Sequence, residues 1–375
     1  MSSTKCKVLS AKRKVEETKR VVVAMSGGVD SSVAAALLKE KGYEVIGITL
    51  KLVPDNRACG SCCSAEAVLD AKKVAFKLNI PHYTINLKKE FFEYVIKDFC
   101  AEYVNGRTPN PCVRCNAYIK FGLLLQKALA LKADYLATGH YAAVIYNAKT
   151  GRYILEKGKD CGKDQAYSLY SLTQKQLKYS LFPLAKLKKE KVRKLAKRFG
   201  LLVAEKKDSQ EICFIPDNNY ARFLRENFKL KAKSGDIVDV RGEKLGKHSG
   251  IFNFTVGQRR GINIAAKEPL YVNKIDACKS RIIVGGKTAV FGKALYAESV
   301  NLVAVSKLTK PMTVQVKTRY SSKPVKAVIK RFKNGVHVKF ARPEWAISPG
   351  QAVVFYQGRK VLGGGIISGK LASSV

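Results

Sequence analysis

The stretch Ser26-Gly27-Gly28-Val29-Asp30-Ser31-Ser32 lies between an apolar run, Val21-Val22-Val23, and an alanine-rich one that continues to Glu40. The apolar run reads as a short buried strand, and the stretch after the turn as a helix ending before Gly42. A strand, a turn of small residues and a helix narrow the fold sharply. Backbone N–H groups at the helix start point at one spot, and the helix dipole favours an anion there. Gly27 and Gly28 permit a backbone shape and a close approach that a side chain blocks. Ser26, Ser31 and Ser32 add hydroxyl donors. The rival reading is a glycine turn that only tightens helix-on-strand packing. A Walker-type loop needs Gly-Lys-Ser/Thr, and no lysine stands here. Asp30 either shares a magnesium ion with bound phosphates or caps the helix.

From residue 21 to about 138, apolar strands (45–50, 83–87, 134–138) alternate with helical stretches (65–78, 90–103, 119–131). That order predicts βαβ units and a parallel sheet, with ligands at the carboxyl ends of the strands. The stretches 24–32, 50–64, 105–116 and 138–141 all fall at that edge, so one site can gather them. Residues 153–213 read as more helical, with a lysine-rich amphipathic helix over 186–199 capped by Gly200. After Pro216 come short β-like runs at 237–240, 271–275 and 281–284, then at 313–318, 327–332 and 351–356. Such spacing predicts small barrels or sandwiches. The expected division is a basic arm over 1–20, an α/β domain over 21–216, a small β-rich domain over 217–288 and a β-barrel over 289–375.

Lys and Arg number 69 against 29 Asp and Glu, a formal net charge of +40. A bias of this size concerns partners rather than fold. Nucleic acid is the leading partner, because phosphate neutralisation releases counterions; a lysine-rich proteome is the competing cause. No apolar run approaches the roughly 18 residues of a membrane span, and the first 20 residues lack a secretory h-region. A soluble, cytoplasmic protein is the expectation. The chain has 10 cysteines without a regular disulfide-like spacing, which fits a reducing compartment where cysteines do chemistry or bind metal.

Three constellations carry chemistry. In 106–116 (GRTPNPCVRCN), two prolines and an asparagine make a rigid, non-helical segment presenting Cys112 and Cys115 near a helix start. A helix N-terminus and neighbouring arginines favour thiolate. Cys-x-x-Cys alone fits redox, zinc or iron–sulphur roles. A second one, Cys59 to Cys62 followed by Cys63, makes a four-cysteine zinc site conceivable, although the spacings suit no common ribbon. Cys213, within the run 208–216 (DSQEICFIP), reads on its own as a buried structural cysteine. Lys163-Asp164-Gln165 reads as a polar patch able to touch a sugar–phosphate backbone, or as a solvated loop.

Taken together, Ser-Gly-Gly-Val-Asp-Ser, Gly-Arg-Thr-Pro-Asn-Pro-Cys-x-x-Cys-Asn, Ala-Thr-Gly-His-Tyr, Lys-Asp-Gln, Ser-Gln-Glu-Ile-Cys-Phe and Gly-Gln-Arg-Arg-Gly-Ile occur in that order. The chain resembles the tRNA-specific 2-thiouridylases, within the PP-loop ATP pyrophosphatases. The resemblance implies an adenine nucleotide α-hydrolase-like domain, a central β-rich domain and a C-terminal barrel gripping tRNA. It implies conversion of wobble uridine 34 in the tRNAs for Glu, Gln and Lys to 2-thiouridine, with ATP and Mg2+. A sulphur donor such as a cysteine desulfurase or relay protein is implied as a partner, and no membrane.

Carried over by residue, Cys213 resembles the persulfide carrier, and Cys115 the second cysteine, which forms a disulfide with the first. Ala24, Met25, Ser26, Gly27, Gly28, Val29, Asp30, Ser31, Leu50 and Gly139 resemble ATP contacts. Asn110, Pro111 and Cys112 fall where the target base is met. His140, Lys163, Asp164, Gln165, Arg319, Tyr320 and Gln351 resemble tRNA contacts. Some family members carry an acidic residue at the place of Cys112. An alternative is a 4Fe–4S cluster on Cys112, Cys115 and Cys213; another PP-loop tRNA-modifying enzyme is a further one.

Overall fold

The computed structural model describes residues 18–53, 65–208, 212–215, 217, 219–228 and 233–369. Most of the expected N-terminal arm, Cys59, Cys62, Cys63 and Ser209 to Glu211 lie outside the described residues.

The first sheet is built from β1 (Arg20–Ala24), β2 (Glu44–Lys51), β3 (His82–Asn86), β4 (Tyr135–Ala137) and the short strand Ser180–Leu181. Its order is β3-β2-β1-β4-(Ser180–Leu181), with every pairing parallel. Val22 faces one core with Ile48, Leu50 and Leu136, while Val21 and Val23 face another with α1 (Val29–Glu40). Burial on both faces is why these strands are continuous apolar runs rather than alternating ones. The chain leaves β1 toward β2 on one side and lies beside β4 on the other. A crevice therefore opens at the carboxyl ends of β1 and β4.

A four-stranded sheet follows, ordered Tyr271–Asp276, Arg281–Gly285, Gly235–Val238, Lys244–His248. The last unit is a closed antiparallel barrel of six strands. Its order is Phe291–Leu302, Gly335–Trp345, Val325–Phe332, Met312–Lys317, Ala352–Gln357, Lys360–Ile367, and Lys360–Ile367 pairs back with Phe291–Leu302. Leu295, Val314, Val338 and Phe355 fill it.

One stretch departs from the helical reading of 153–213. Arg152–Lys157 is a strand, paired with Ala142–Asn147 in a hairpin turned by Gly151 at φ +62°. Tyr153, Ile154 and Leu155 are strand formers, and the charged residues around them hid that preference. The hairpin extends the barrel sheet through the Lys360↔Glu156 pair. Arg152 donates to the carbonyls of Leu302 and Val303, each at 3.0 Å, and Tyr167 Oη donates to the Ala352 carbonyl at 2.7 Å. The first domain and the barrel are thus stitched by sheet and side chains.

Candidate active site

The loop after β1 is held from both sides. The Met25 N–H donates to the Ile48 carbonyl, and its own carbonyl accepts from Thr49 Oγ1, both at 2.8 Å. Met25 and Val29 are buried and Leu50 packs in the core, so only their backbone can meet a nucleotide. Ala24, Ser26, Gly28 and Asp30 keep partial exposure. Ser31 Oγ accepts from the Ser26 N–H at 3.1 Å and reaches the Gly28 carbonyl at 3.2 Å, which curls the loop over the first turn of α1. Gly27 adopts φ +66°, and a Cβ there would stand 2.2 Å from the Ala67 carbonyl oxygen. The turn therefore packs tightly at the crevice.

Gly139, after β4, lies against this turn. A Cβ on it would come within 2.7 Å of the Asp30 carbonyl carbon and the Ser31 nitrogen. Its missing side chain serves α1 directly. Backbone atoms cannot yield, so Gly139→Ala should displace the loop, and a displacement near 1 Å can lower a rate about 100-fold. We expect tRNA-dependent pyrophosphate release to fall by about that factor. Unaltered release would contradict this packing.

Asp30 does not cap α1. Gly28 holds the N-cap position, with no side-chain cap bond. The Asp30 carboxylate instead accepts from Tyr141 Oη at 2.7 Å and from Lys189 Nζ at 2.8 Å on each oxygen. Lys189 also reaches Asp208 at 2.7 Å, and Asp208 is met by Lys163 at 2.7 Å and Arg193 at 3.1 Å. Burial would raise the Asp208 carboxyl, but the hydrogen bonds from Lys163 and Lys189 outweigh it and hold it below the ordinary value. The bond to Asp208 raises Lys163 correspondingly. Burial, then the Asp30 charge, push the Tyr141 phenol far up, so it stays a donor. With both oxygens engaged, Asp30 as arranged does not fit a magnesium ligand; an ammonium stands beside it. Sequence reading noted Tyr141 and Asp208 only within motifs and gave no role to them, to Lys189 or to Arg193, which lie far apart in the chain.

The cysteine segment departs from the non-helical expectation. The helix begins at Pro111, with Asn110 as N-cap accepting from the Val113 N–H at 3.3 Å. Asn followed by Pro is a strong helix start, N-cap then N1. Cys112 and Cys115 are thus inside the first turns, and from Cys115 to Leu124 the helix widens to a π form. Such widening is frequent at functional sites. Cys112 is exposed and Cys115 buried. Arg107 is committed to Glu102 and Glu298, and Arg114 to Asp98. Cys213 is half-buried beside Phe214, whose ring packs edge-on against Phe91 and Phe99.

Among the described residues, no group of three or more His, Cys, Asp or Glu side chains is placed to hold a metal ion. Cys112, Cys115 and Cys213 do not form a ligand set, so the cluster alternative is set aside. A cavity of about 60 Å³ lies beside Asn110, between Pro109, Tyr170 and Gly350. Ligand pockets measure roughly 300 Å³ and more, so this cavity lies well below that range.

The residues resembling tRNA contacts are mostly engaged within the protein. Asp164 Oδ1 accepts from the Gly158 and Ala166 N–H groups, and burial raises its carboxyl. Gln165 pairs with the backbone of Tyr141 in both directions at 3.0 Å. Arg319 donates to the Val256 and Ala346 carbonyls and to Ser348 Oγ, and Gln351 to the Pro109 carbonyl. Tyr320 is 47% exposed, and burial is the main cause that raises its phenol.

His140 is buried against Phe121 and Phe182, with Nδ1 2.7 Å from Thr138 Oγ1. Burial, then Lys120, hold its folded value well below 6.5. Below about pH 6.5 the unfolded chain binds a proton there that the folded chain does not, at about 1.4 kcal/mol per pH unit. This stability is full above that pH and is lost as pH falls. Urea unfolding at pH 7 and pH 5.5 should show about 1 kcal/mol less pH dependence in His140→Gln; equal dependence would contradict the burial.

A parallel sheet with a Ser-Gly-Gly-x-Asp-Ser turn at its switch point defines a PP-loop, ATP-utilising fold. The family models that match are the tRNA methyl transferase HUP domain over residues 19–217, its PRC-barrel domain over 221–286 and the aminomethyltransferase beta-barrel domain over 292–367. The tRNA-specific 2-thiouridylase MnmA 2 of Caldanaerobacter subterraneus subsp. tengcongensis is 52% identical over 363 residues, covering 95% of this chain and 100% of that protein. MnmA of Halothermothrix orenii is 52% identical over 353 residues, covering 93% and 98%. Among solved structures, a U34-tRNA thiolase, NcsA from Methanococcus maripaludis with its [4Fe-4S] cluster, is 20% identical with a TM-score of 0.34. It covers 56% of this chain and 66% of that one, too distant for any conclusion about this site. The chain belongs to the tRNA-specific 2-thiouridylase family. Among the described residues no helix is long and apolar enough to cross a membrane.

Proposed function

We propose that this chain is an ATP-dependent tRNA sulphurtransferase that turns wobble uridine 34 of the tRNAs for Glu, Gln and Lys into 2-thiouridine. One observation carries the reading beyond kinship. Val113 and Cys115, and Phe214 with Cys213, share one packed core with Val22 and Leu50 of the strands that frame the phosphate turn. That shared core supports nucleotide and sulphur chemistry being carried by one domain. The proposed division of labour is catalysis in 21–216, with 217–288 and 289–375 supporting the tRNA.

The uracil C2 oxygen is a poor leaving group and needs activation. It bonds to the α-phosphorus of ATP as the bond to the β-phosphate oxygen breaks and the N3 proton departs. The N–H groups opening α1, Ser26 and Lys189 receive the pyrophosphate charge. Magnesium would accompany ATP as a counter-ion of its phosphates. The outer sulphur of a Cys213 persulfide then bonds to C2, and AMP leaves. Cys115 thiolate bonds to Cys213 Sγ, and the bond from Cys213 Sγ to the transferred sulphur breaks. Its electrons stay on that sulphur, N3 regains a proton, and a dithiol reductant reopens the Cys115–Cys213 disulfide. A cysteine desulfurase or relay protein restores the persulfide. Wobble bases lie in a loop, so presenting one costs little unstacking. Nucleoside mass spectrometry of tRNA from cells depleted of the protein tests the reading. Loss of 2-thiouridine alone is expected; loss of a different modification would refute it.

A further inference from the structure

Beside the hairpin of Ala142–Asn147 and Arg152–Lys157 the surface opens into a cavity of about 320 Å³. That volume reaches the range of ligand sites, roughly 300 Å³ and more. Its walls include Arg152 and Tyr153 of the hairpin, with Gln174, Lys175, Lys178 and Tyr179 in and after the short helix Gln174–Lys178. No carboxylate lines it, and no residue of the phosphate turn or the cysteine helix does. Gln176 of the same short helix donates to the Ala117 and Phe121 carbonyls, at 3.0 and 2.9 Å. One short helix therefore separates the cavity from the helix that carries Cys115, a distance of about 10 Å.

The floor of the cavity is fixed before any ligand arrives. Arg152 spends Nε and Nη2 on the Val303 and Leu302 carbonyls, which holds the plane of its guanidinium. Gln174 accepts from the Tyr153 N–H at 2.8 Å and donates to the Tyr153 and Val303 carbonyls at 3.0 and 3.1 Å. The Tyr153 ring packs 5.0 Å from the Tyr146 ring, and Lys178 Nζ stands 5.4 Å from the centre of the Tyr179 ring. Lys175 and Lys178 are exposed. Held rings beside cations suit a nucleobase with its phosphate: a ring face takes the flat base, and the ammonium groups take the phosphodiester. An acidic peptide would use the cations and leave the rings idle.

We propose that this cavity is a second tRNA subsite: it takes a nucleotide other than the wobble uridine, with the base against Tyr153 and the phosphate between Lys175 and Lys178. The proposal deepens the tRNA reading above and rests on it, so binding and thiolation are measured separately on full-length protein with unmodified tRNA. The double variant Lys175→Gln, Lys178→Gln should raise the tRNA Kd about 10-fold and flatten the slope of log Kd against log salt by about 1 to 2. Both side chains are exposed, so its urea midpoint should stay at the wild-type value. Tyr153→Leu should raise Kd several-fold, whereas Tyr153→Phe keeps a ring face and should stay near wild type. An unchanged Kd and salt slope in the lysine variant would overturn the proposal. Weakening by the lysine variant with Tyr153→Leu at wild-type affinity would leave a bare charge patch and overturn it too. AMP is the probe for a free nucleotide: AMP binding lost in the lysine variant, with tRNA Kd unchanged, would assign the cavity to that ligand instead. Weakened tRNA binding in variants of a protein whose wild type forms no 2-thiouridine would keep the subsite and refute the proposed reaction.

Discussion

Cys213→Ser should abolish 2-thiouridine formation, by at least about a thousandfold, while tRNA binds within about twofold of wild type. A serine cannot hold a transferable sulphur, and Cys115 then has no sulphur–sulphur bond to open. The fold should survive. Cys213 is only half-buried, and the neighbours that anchor its segment, Phe214 and Ile215, are 5% and 1% exposed and untouched by the change. Pyrophosphate release should persist, because adenylation precedes sulphur transfer. Nucleoside mass spectrometry and a pyrophosphate assay on the same sample separate the two steps. Loss of tRNA binding to a comparable degree would make Cys213 a structural residue.

Lys189→Met should disable the other half of the reaction. Lys189 bridges Asp30 and Asp208, and its side chain is only 12% exposed. Without it two carboxylates face each other, one of them still held by Lys163 and Arg193. Breaking a buried pair costs about 3–5 kcal/mol. The side chains of Asp30 and Asp208 are 32% and 21% exposed, so solvent lowers the loss to about 1–3 kcal/mol. Added salt should recover part of it by screening the repulsion. Pyrophosphate release should fall about 100-fold, since Asp30, in the first turn of α1 after the phosphate turn, loses the ammonium that holds it in place. Wild-type stability and release in this variant would show that the Asp30–Lys189–Asp208 contacts are incidental.

Local signals made much of this molecule legible before any coordinates. The apolar run at Val21 and the small residues after it specified strand, turn and helix, because each choice agreed with the next. Asn110-Pro111 carried an equally local signal, a helix start, but two prolines near one asparagine looked like a loop. The Asp30–Lys189–Asp208 contacts had no such signal. Their members come from α1, the helix Lys189–Arg198 and the stretch before Cys213, and only tertiary packing brings them together. Gln351 was read as the start of a strand and as resembling a tRNA contact; its partner at Pro109, 242 positions away, was not legible. Lys163-Asp164-Gln165 looked like a solvated patch because charge was read as exposure, whereas Asp164 and Gln165 are bonded to backbone.

In the proposed reaction one site couples ATP cleavage to sulphur insertion. The direct measurement supplies purified full-length protein with unmodified tRNA, ATP, a dithiol reductant and a cysteine desulfurase with cysteine, and counts products. One pyrophosphate and one AMP per 2-thiouridine at position 34 is the expected result. Pyrophosphate formed without tRNA-bound sulphur, or sulphur inserted without ATP cleavage, would contradict the claim.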